Sequence, residues 1–185
     1  AYPSIVYDTN ADRIVISYQD GGNSYYGTAI VGTISGTSIS FGSPVVFNSA
    51  NSSSMDSSFD INASKVVITY QDGDPGRAIV GTVSGTSISF GSSAEFETQD
   101  TRTPNVIYDV NAQKHLIFYA LLLSGGSDTP AKVRVATISG TSVSFGTVAT
   151  VSTSVVDHLA GAYDVNAQKS ALVYRDQTSS TSKAR

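Results

Sequence analysis

The chain has 185 residues, 40% hydrophobic and 14% charged, which suits one folded domain and excludes a disordered segment. The net charge of −4 argues against nucleic acid as a partner, because nucleic acid requires Lys and Arg gathered on one face. The sequence has no cysteine and no apolar run of the roughly 20 residues that span a bilayer, so it predicts no disulfide framework and no membrane insertion.

The first fifty residues predict four β-strands in succession. Apolar and polar residues alternate with the period of two that a strand requires, as in Ile14, Ile16 and Tyr18. An Asp-x-Asn-Ala turn joins the first two strands, and a Ser-Gly-Thr turn joins the last two. The predicted strands, lettered a to d, are Ser4–Tyr7, Ile14–Tyr18, Thr28–Ile34 and Ser38–Phe47.

The same pattern returns three times along the chain. The aspartates of the turn motif, which lie 52, 49 and 55 residues apart, are Asp8, Asp60, Asp109 and Asp164. The distance from this aspartate to the tyrosine that ends strand b is 10 residues in every copy, whereas the next stretch, which contains the b–c connection, varies in length. The repeats cover residues 1–53, 54–102, 103–155 and 156–185, and the fourth is incomplete. A rigid unit with one variable loop indicates a scaffold that displays a surface.

A four-stranded antiparallel unit of this size predicts an all-β fold, a β-propeller with about 3.5 blades. A meander β-sandwich is the alternative. Because closed propellers have roughly 4–8 complete blades, we expect residues 1–185 to be a single propeller segment that a longer polypeptide, or another subunit, completes.

Two resemblances follow from these motifs. The hairpin Ser-Gly-Thr-Ser-Ile-Ser-Phe-Gly resembles that of sialidase-type (BNR, or Asp-box) propellers, although it lacks the Asp and the Trp of the Asp box. The amino-acid sequence of Val66–Asp72 and Gly81–Phe90 resembles tandem repeats in virion proteins of marine tailed bacteriophages. The second resemblance implies a tail or fibre component, located in a virion or outside the cell.

The sequence gives catalysis little support. A sialidase requires an arginine cluster over the channel, and we expect none of the six arginines in a channel-facing position of strand a. We predict that His115 is a partly exposed strand residue rather than a base. His158 could pair with Asp157, but a solvated turn is the favoured interpretation. The chain is therefore predicted not to be an enzyme.

Calcium is the only cofactor that the sequence suggests. The Asp-x-Asn motifs resemble the first half of a calcium loop without its later Gly and Glu. Asp72 and Asp74 are the most plausible exception to the simpler interpretation, in which each aspartate caps its own turn.

A binding face is the remaining candidate site. The b–c and d–a connections should emerge on one side of the blades, which we call the loop face. Tyr25 and Tyr26 could stack on a host-surface sugar, although Tyr25 could instead be the first pairing residue of strand c. An apolar patch in the third b–c loop, Leu121, Leu122 and Leu123, predicts contact with another subunit or domain. The predicted ligand-binding residues are Asp20, Asn23, Tyr25, Tyr26, Asp72, Asp74, Arg77 and Asp128.

The leading hypothesis is a non-enzymatic structural or adhesion propeller that presents its b–c loops to a host surface. The alternative is a stand-alone carbohydrate-binding propeller, and a sialidase-clan glycosidase comes third.

Overall fold

The computed structural model of the protein describes residues 3–122, 130–179 and 181–184. Strands account for 71% of the residues, and the described part contains no helix, so the all-β prediction is confirmed. Accordingly, the described residues provide no helix that could cross a membrane. The strand pairs are antiparallel, as the short turns between them require.

The described residues form seventeen strands in four successive groups, which we call units 1 to 4. Unit 1 contains β1 (Ser4–Asp8), β2 (Arg13–Asp20), β3 (Tyr26–Ser35), β4 (Ser38–Phe41) and the first part of β5 (Val45–Asp60). Unit 2 contains the rest of β5, then β6 (Lys65–Asp72), β7 (Gly76–Ser84), β8 (Ser87–Phe90) and β9 (Ala94–Glu97). Unit 3 contains β10 (Thr101–Asp109), β11 (Lys114–Leu121), β12 (Ala131–Ser139), β13 (Ser142–Phe145) and β14 (Ala149–Ser152). Unit 4 contains β15 (Val156–Asp164), β16 (Lys169–Asp176) and β17 (Thr181–Ala184).

The fourth strand of units 1, 2 and 3 is broken, so the prediction of one continuous strand d over Ser38–Phe47 is wrong. β3 pairs along one edge with β4 and then, after a break at residues 42–44, with the start of β5. Pro44 has no N–H to donate, which suits a break in the ladder. β5 then continues into unit 2, where its second half pairs with β6. The same break separates β8 from β9 and β13 from β14.

The two turn types are built as the sequence predicts. The Oδ1 atom of each motif aspartate accepts hydrogen bonds of 2.8–3.0 Å from the amides two and three residues later, so these four carboxylates cap their own turns. In the c–d turn, Gly36, Gly85 and Gly140 have φ of 59–61°, and the threonine that follows has negative φ. This is the type II′ geometry, which favours glycine at the first central position.

The hydrophobic core lies between neighbouring units rather than within them. Its first cluster joins Val15 and Val31 of unit 1 to Ile68, Tyr70 and Ile88 of unit 2. The second cluster joins units 2 and 3, and the third joins units 3 and 4. The first strands of successive units, β1, β5, β10 and β15, also contact one another in chain order. We call the face that a unit turns to the preceding unit its leading face, and the opposite face its trailing face.

The c–d hairpin is the outer part of the leading face. In unit 2 its turn lies so close to unit 1 that a Cβ atom on Gly42 would stand 1.9 Å from the carbonyl oxygen of Thr86. Gly91 is in the equivalent position against Thr141 of unit 3, at 2.1 Å. Both positions therefore require glycine, because the backbones approach too closely for any side chain.

Candidate functional site

The b–c and d–a connections lie together, as predicted for the loop face. Hydrogen bonds join them directly: the Ser52 amide donates to the Tyr25 carbonyl at 3.0 Å, and the Thr101 amide donates to the Asp74 carbonyl at 2.8 Å. In unit 4 the Gln177 amide donates to the Val155 carbonyl at 2.9 Å. Backbone hydrogen bonds therefore hold the b–c connections of units 1, 2 and 4 to the d–a connections beside them.

The first b–c loop presents a tyrosine. Asp20 organises this loop, because its Oδ1 accepts the Gly22 amide at 3.0 Å and its carbonyl accepts the amides of Asn23 and Tyr25. Tyr25 lies before β3, with φ of 62° and 56% exposure, so it is a loop residue. Tyr26 is the first pairing residue of β3, opposite Asp20. A non-glycine residue with positive φ is strained, and strain of this kind concentrates at functional sites.

The second b–c loop, which contains the predicted calcium ligands Asp72 and Asp74, holds an ion pair. Asp72 Oδ2 lies 2.9 Å from Arg77 Nε, and its Oδ1 accepts a hydrogen bond from Asn48 Nδ2 at 2.9 Å. Arg77 also contacts Glu95 at 3.2 Å. Asp74 is exposed and contributes its carbonyl to the loop. The described residues contain no group of three or more His, Asp or Glu side chains that could hold a metal ion, and a guanidinium beside Asp72 opposes a cation there.

In the third b–c loop, the two described leucines of the predicted apolar patch are buried or half-buried. Leu121 ends β11 and is buried in the core cluster between units 2 and 3, so it is not a surface residue. Leu122 is half-buried and donates its amide to the Asp100 carbonyl at 2.8 Å. Leu123 and Asp128 lie outside the described residues. The chain's own core accounts for Leu121, and the predicted subunit contact loses this support.

A cavity of about 350 Å³ lies between β5, β10 and β15. We call the first strands of the four units, β1, β5, β10 and β15, the inner strands. We call this space the inner-strand cavity, and none of the predicted ligand residues lines it. Each of the three strands enters the cavity through a β-bulge whose central residue is left-handed: Ser54, Thr103 and His158 have φ of 44–51°. The lining residues are Ser54, Met55, Asp56, Thr103, Pro104, Asn105, Asp157, His158 and Leu159.

A chain of hydrogen bonds runs from unit to unit beside this cavity. Asp56 accepts from Ser4 Oγ at 3.1 Å, from Asn105 Nδ2 at 2.7 Å and from the Val106 amide at 2.8 Å. Asn105 Oδ1 in turn accepts the Gly161 amide at 2.7 Å. Burial raises the pKa of Asp56, and these donors oppose that shift. This series of hydrogen bonds positions the four inner strands relative to one another.

Strand β15 contributes a charged residue, Asp157, to the lining of the cavity. Asp157 accepts from Arg175 Nε at 2.7 Å and from Gln177 Nε2 at 2.6 Å, and the hydrogen bond from Arg175 lowers the pKa of Asp157. His158 Nε2 lies 3.8 Å from Asp157 Oδ2, so the histidine is beside the aspartate, as in the interpretation that the sequence did not favour. The histidine lies in strand β15 rather than in a turn, with its side chain 76% exposed. It is the one imidazole of the described residues that solvent reaches.

His115 is fully buried, so the prediction of a partly exposed residue is wrong. Its Nδ1 lies 2.8 Å from Ser58 Oγ, and its Nε2 lies 3.6 Å from Asp60 Oδ2. Burial alone would raise the pKa of Asp60, but His115 and the Ala63 amide outweigh it and lower the pKa to about 2. The imidazole therefore joins units 2 and 3 and does not reach a substrate.

The arginines of the described residues are engaged in structural contacts. Arg102 lies within β10 and pairs with Asp100 at 2.8 Å. Arg13 donates to the Gly85 carbonyl of unit 2 at 3.1 Å, and Arg134 donates to the Gly146 carbonyl at 2.9 Å. None of the described arginines lines the inner-strand cavity.

Comparisons with protein families and with curated proteins found no match for the chain: no family model matches it, and no curated protein matches it at a significant level.

Proposed function

We propose that the chain is a segment of a β-propeller with a non-enzymatic structural and adhesion function. The observation that carries the proposal is the packing between units: each unit places its leading face on the trailing face of the unit before it, three times in succession. The inner strands meet in chain order, as the first strands of propeller blades do around a channel. The four units would then be three blades and part of a fourth.

A structural function is supported by how the polar groups are used. The carboxylates of Asp56 and Asp157 and the imidazole of His115 all hold the chain's own donors or neighbouring units in place. A glycosidase requires two carboxyl groups free to act on a sugar. In the proposed function, the stacked units form a stiff scaffold. This scaffold presents the loop face to a host surface.

The virion or extracellular location rests on the resemblance of Val66–Asp72 and Gly81–Phe90 to repeats of marine tailed-phage proteins. Immunogold electron microscopy tests it, with antibodies against the purified chain applied to virions of the source phage. We expect regular labelling at one position of the tail or fibre. Absence of label from intact and from partly disassembled particles would overturn this location. Turnover of a fluorogenic sialoside by the purified chain would overturn the non-enzymatic function.

Carbohydrate binding is the second candidate function, and the exposed, strained Tyr25 favours it. An exposed aromatic ring can stack on the apolar face of a sugar. The inner-strand cavity, at about 350 Å³, also falls within the range of roughly 300–1,000 Å³ of small-molecule sites. Glycan-array binding tests this function: Tyr25→Ala should abolish it. The matched control is Tyr7→Ala, which removes a ring of similar exposure, 48% against 56% for Tyr25, from the leading face of unit 1.

A further inference from the structure

The inner-strand cavity is built from the same position of three successive units. Ser54, Thr103 and His158 each lie six residues before the motif aspartate of their unit, and all three have positive φ. Glycine adopts this conformation at the least cost, whereas it is an outlier for a β-branched residue such as Thr103. Two hydroxyls and an imidazole therefore stand where backbone geometry alone would favour glycine.

The position that follows supplies the apolar part of the lining. Met55, Pro104 and Leu159 line the cavity, and the exposed fractions of Met55 and Leu159 are 5% and 9%. All the lining residues belong to units 2, 3 and 4, which two core clusters hold together. An apolar surface with a few polar groups is typical of a small-molecule site.

The two carboxylates of the lining are already engaged. A carboxylate has about four acceptor sites, and Asp56 accepts hydrogen bonds from four groups of the chain: the Ser57 and Val106 amides and the Ser4 and Asn105 side chains. Asp157 is paired with the Arg175 guanidinium. The described residues that line the cavity include no Lys or Arg. An anionic ligand would therefore meet two carboxylates and no cation of the lining, so the lining favours a neutral ligand.

The polar groups left for a ligand are hydroxyls and an imidazole. Thr103 Oγ1 is buried and has no hydrogen-bond partner among the described residues. A buried hydroxyl without a partner costs free energy, and a ligand in the cavity that Thr103 lines is within its reach. Hydroxyls and a neutral imidazole both donate and accept hydrogen bonds, which matches a ligand that carries several hydroxyl groups.

We infer that the inner-strand cavity binds a single neutral sugar ring. The C–H groups of the ring rest on the apolar part of the lining, and its hydroxyls pair with Ser54, Thr103 and His158. The cavity volume of about 350 Å³ lies at the lower end of the range for small-molecule sites, which suits one ring. This inference rests on the proposed adhesion function, whose carbohydrate ligand it specifies, and it assigns that ligand to a site that Tyr25 does not line.

Saturation-transfer difference NMR on the purified chain tests the inference with free monosaccharides. The neutral probes, each added alone, are D-glucose, D-galactose, D-mannose and N-acetyl-D-glucosamine. The anionic probe is N-acetylneuraminic acid, and the cationic probe is D-glucosamine. We expect at least one neutral probe to give a saturable signal and both charged probes to bind more weakly than it does.

The variant Thr103→Val removes the unpartnered hydroxyl and keeps the branched shape of the side chain. It should weaken binding of the neutral sugar about tenfold. It should not lower the midpoint of thermal unfolding, because this hydroxyl has no partner to lose among the described residues. Thr103→Ser keeps the hydroxyl and should retain the binding. The matched control is Thr33→Val, which should not affect binding: Thr33 Oγ1 is also buried without a partner among the described residues, but Thr33 lies in β3, away from the cavity.

A second variant, His158→Ala, tests the same site without a change in the core. Its imidazole is 76% exposed, so we expect the fold to be kept and sugar binding to weaken. The inference is overturned if Thr103→Val and His158→Ala both bind the sugar as tightly as the wild-type chain does. It is also overturned if none of the neutral probes binds, or if a charged probe binds more tightly than all of them.

The variant Tyr25→Ala separates this inference from the proposed function. It should leave monosaccharide binding unchanged, because Tyr25 does not line the cavity. If Tyr25→Ala abolishes sugar binding and Thr103→Val does not, carbohydrate binding stands and the cavity is not its site. If no neutral probe binds but the chain is labelled at one position of the virion, the structural function stands and only the sugar site fails.

Discussion

Units 1 and 2 carry almost the same c–d hairpin and use it differently. In unit 2 the hairpin packs on unit 1, and Ile88 is buried between Val31 and its neighbours. In unit 1 the hairpin faces solvent, and Ile39 is 47% exposed. The apolar residues of the repeat therefore specify the contact between units rather than a core inside each one. This is the behaviour of repeat proteins, in which the interface between neighbours supplies most of the stability.

The largest expected effect comes from removing the same side chain in these two places. We expect Ile88→Ala to cost about 2–5 kcal/mol of unfolding free energy, because it leaves a cavity between two units. Ile39→Ala should change the unfolding free energy of the monomer by about 0.5 kcal/mol or less. Urea denaturation at a concentration where the chain is monomeric measures both. Equal costs would show that each unit has its own core.

The glycines that follow the c–d hairpins of units 2 and 3 allow the same comparison, between a residue that contacts the next unit and one that does not. Gly91→Ala places a Cβ atom 2.1 Å from the Thr141 carbonyl oxygen, so the two units must shift, at a cost of about 1–3 kcal/mol. At Gly146 the nearest atom to such a Cβ is 3.7 Å away, in ordinary contact. Gly146→Ala should therefore leave the urea midpoint unchanged. If both alanines cost the same, backbone conformation rather than the neighbouring unit explains the glycine.

Local chemistry explains which features were predictable from sequence. The strands, the turn aspartates and the Ser-Gly-Thr hairpins each depend on residues within a few positions, and the structure has them as expected. The break of strand d was missed, although Gly42 and Pro44 signal it. The burial of His115 was also predictable in principle, because two of its three counterparts, Ile14 and Val66, are apolar and mark a buried position, although the third is Ser170.

The inner-strand cavity could not be predicted in the same way. Its left-handed residues, Ser54, Thr103 and His158, have no side-chain chemistry in common, and none is a glycine that would signal positive φ. The bulges become visible only in the pairing of β5, β10 and β15 with the strands beside them. Sequence reasoning therefore identified the loop face and missed the cavity, because the cavity depends on contacts between units.

The inner strands of neighbouring units contact one another through polar groups, whereas the c–d hairpins contact neighbouring units through apolar side chains. Asp56→Ala removes the acceptor of the Asn105 side chain and the Val106 amide, and we expect a loss on the order of 1 kcal/mol, since water in the cavity can replace part of it. Asp56→Asn should not lower stability. Its amide oxygen can accept the same two donors, its amide nitrogen can donate to Ser4 Oγ, and it removes a buried charge. Thermal unfolding compares the two variants, and a loss in Asp56→Asn as large as in Asp56→Ala would contradict the proposed contacts.

The smallest expected effect concerns the turn of unit 2, where Asp60 lies beside His115 of unit 3. The pKa of Asp60 is about 2 in the folded chain, below the ordinary value of 3.8 that it regains on unfolding. Such a carboxylate stabilises the fold above about pH 4, and its contribution is lost as the pH falls towards 2. Asp60→Asn keeps an oxygen for the Asn62 and Ala63 amides but carries no charge. The difference in unfolding free energy between wild type and Asp60→Asn should therefore be on the order of 1 kcal/mol at pH 5 and should vanish near pH 2. A difference that does not change with pH would mean that the folded chain does not lower the pKa of Asp60.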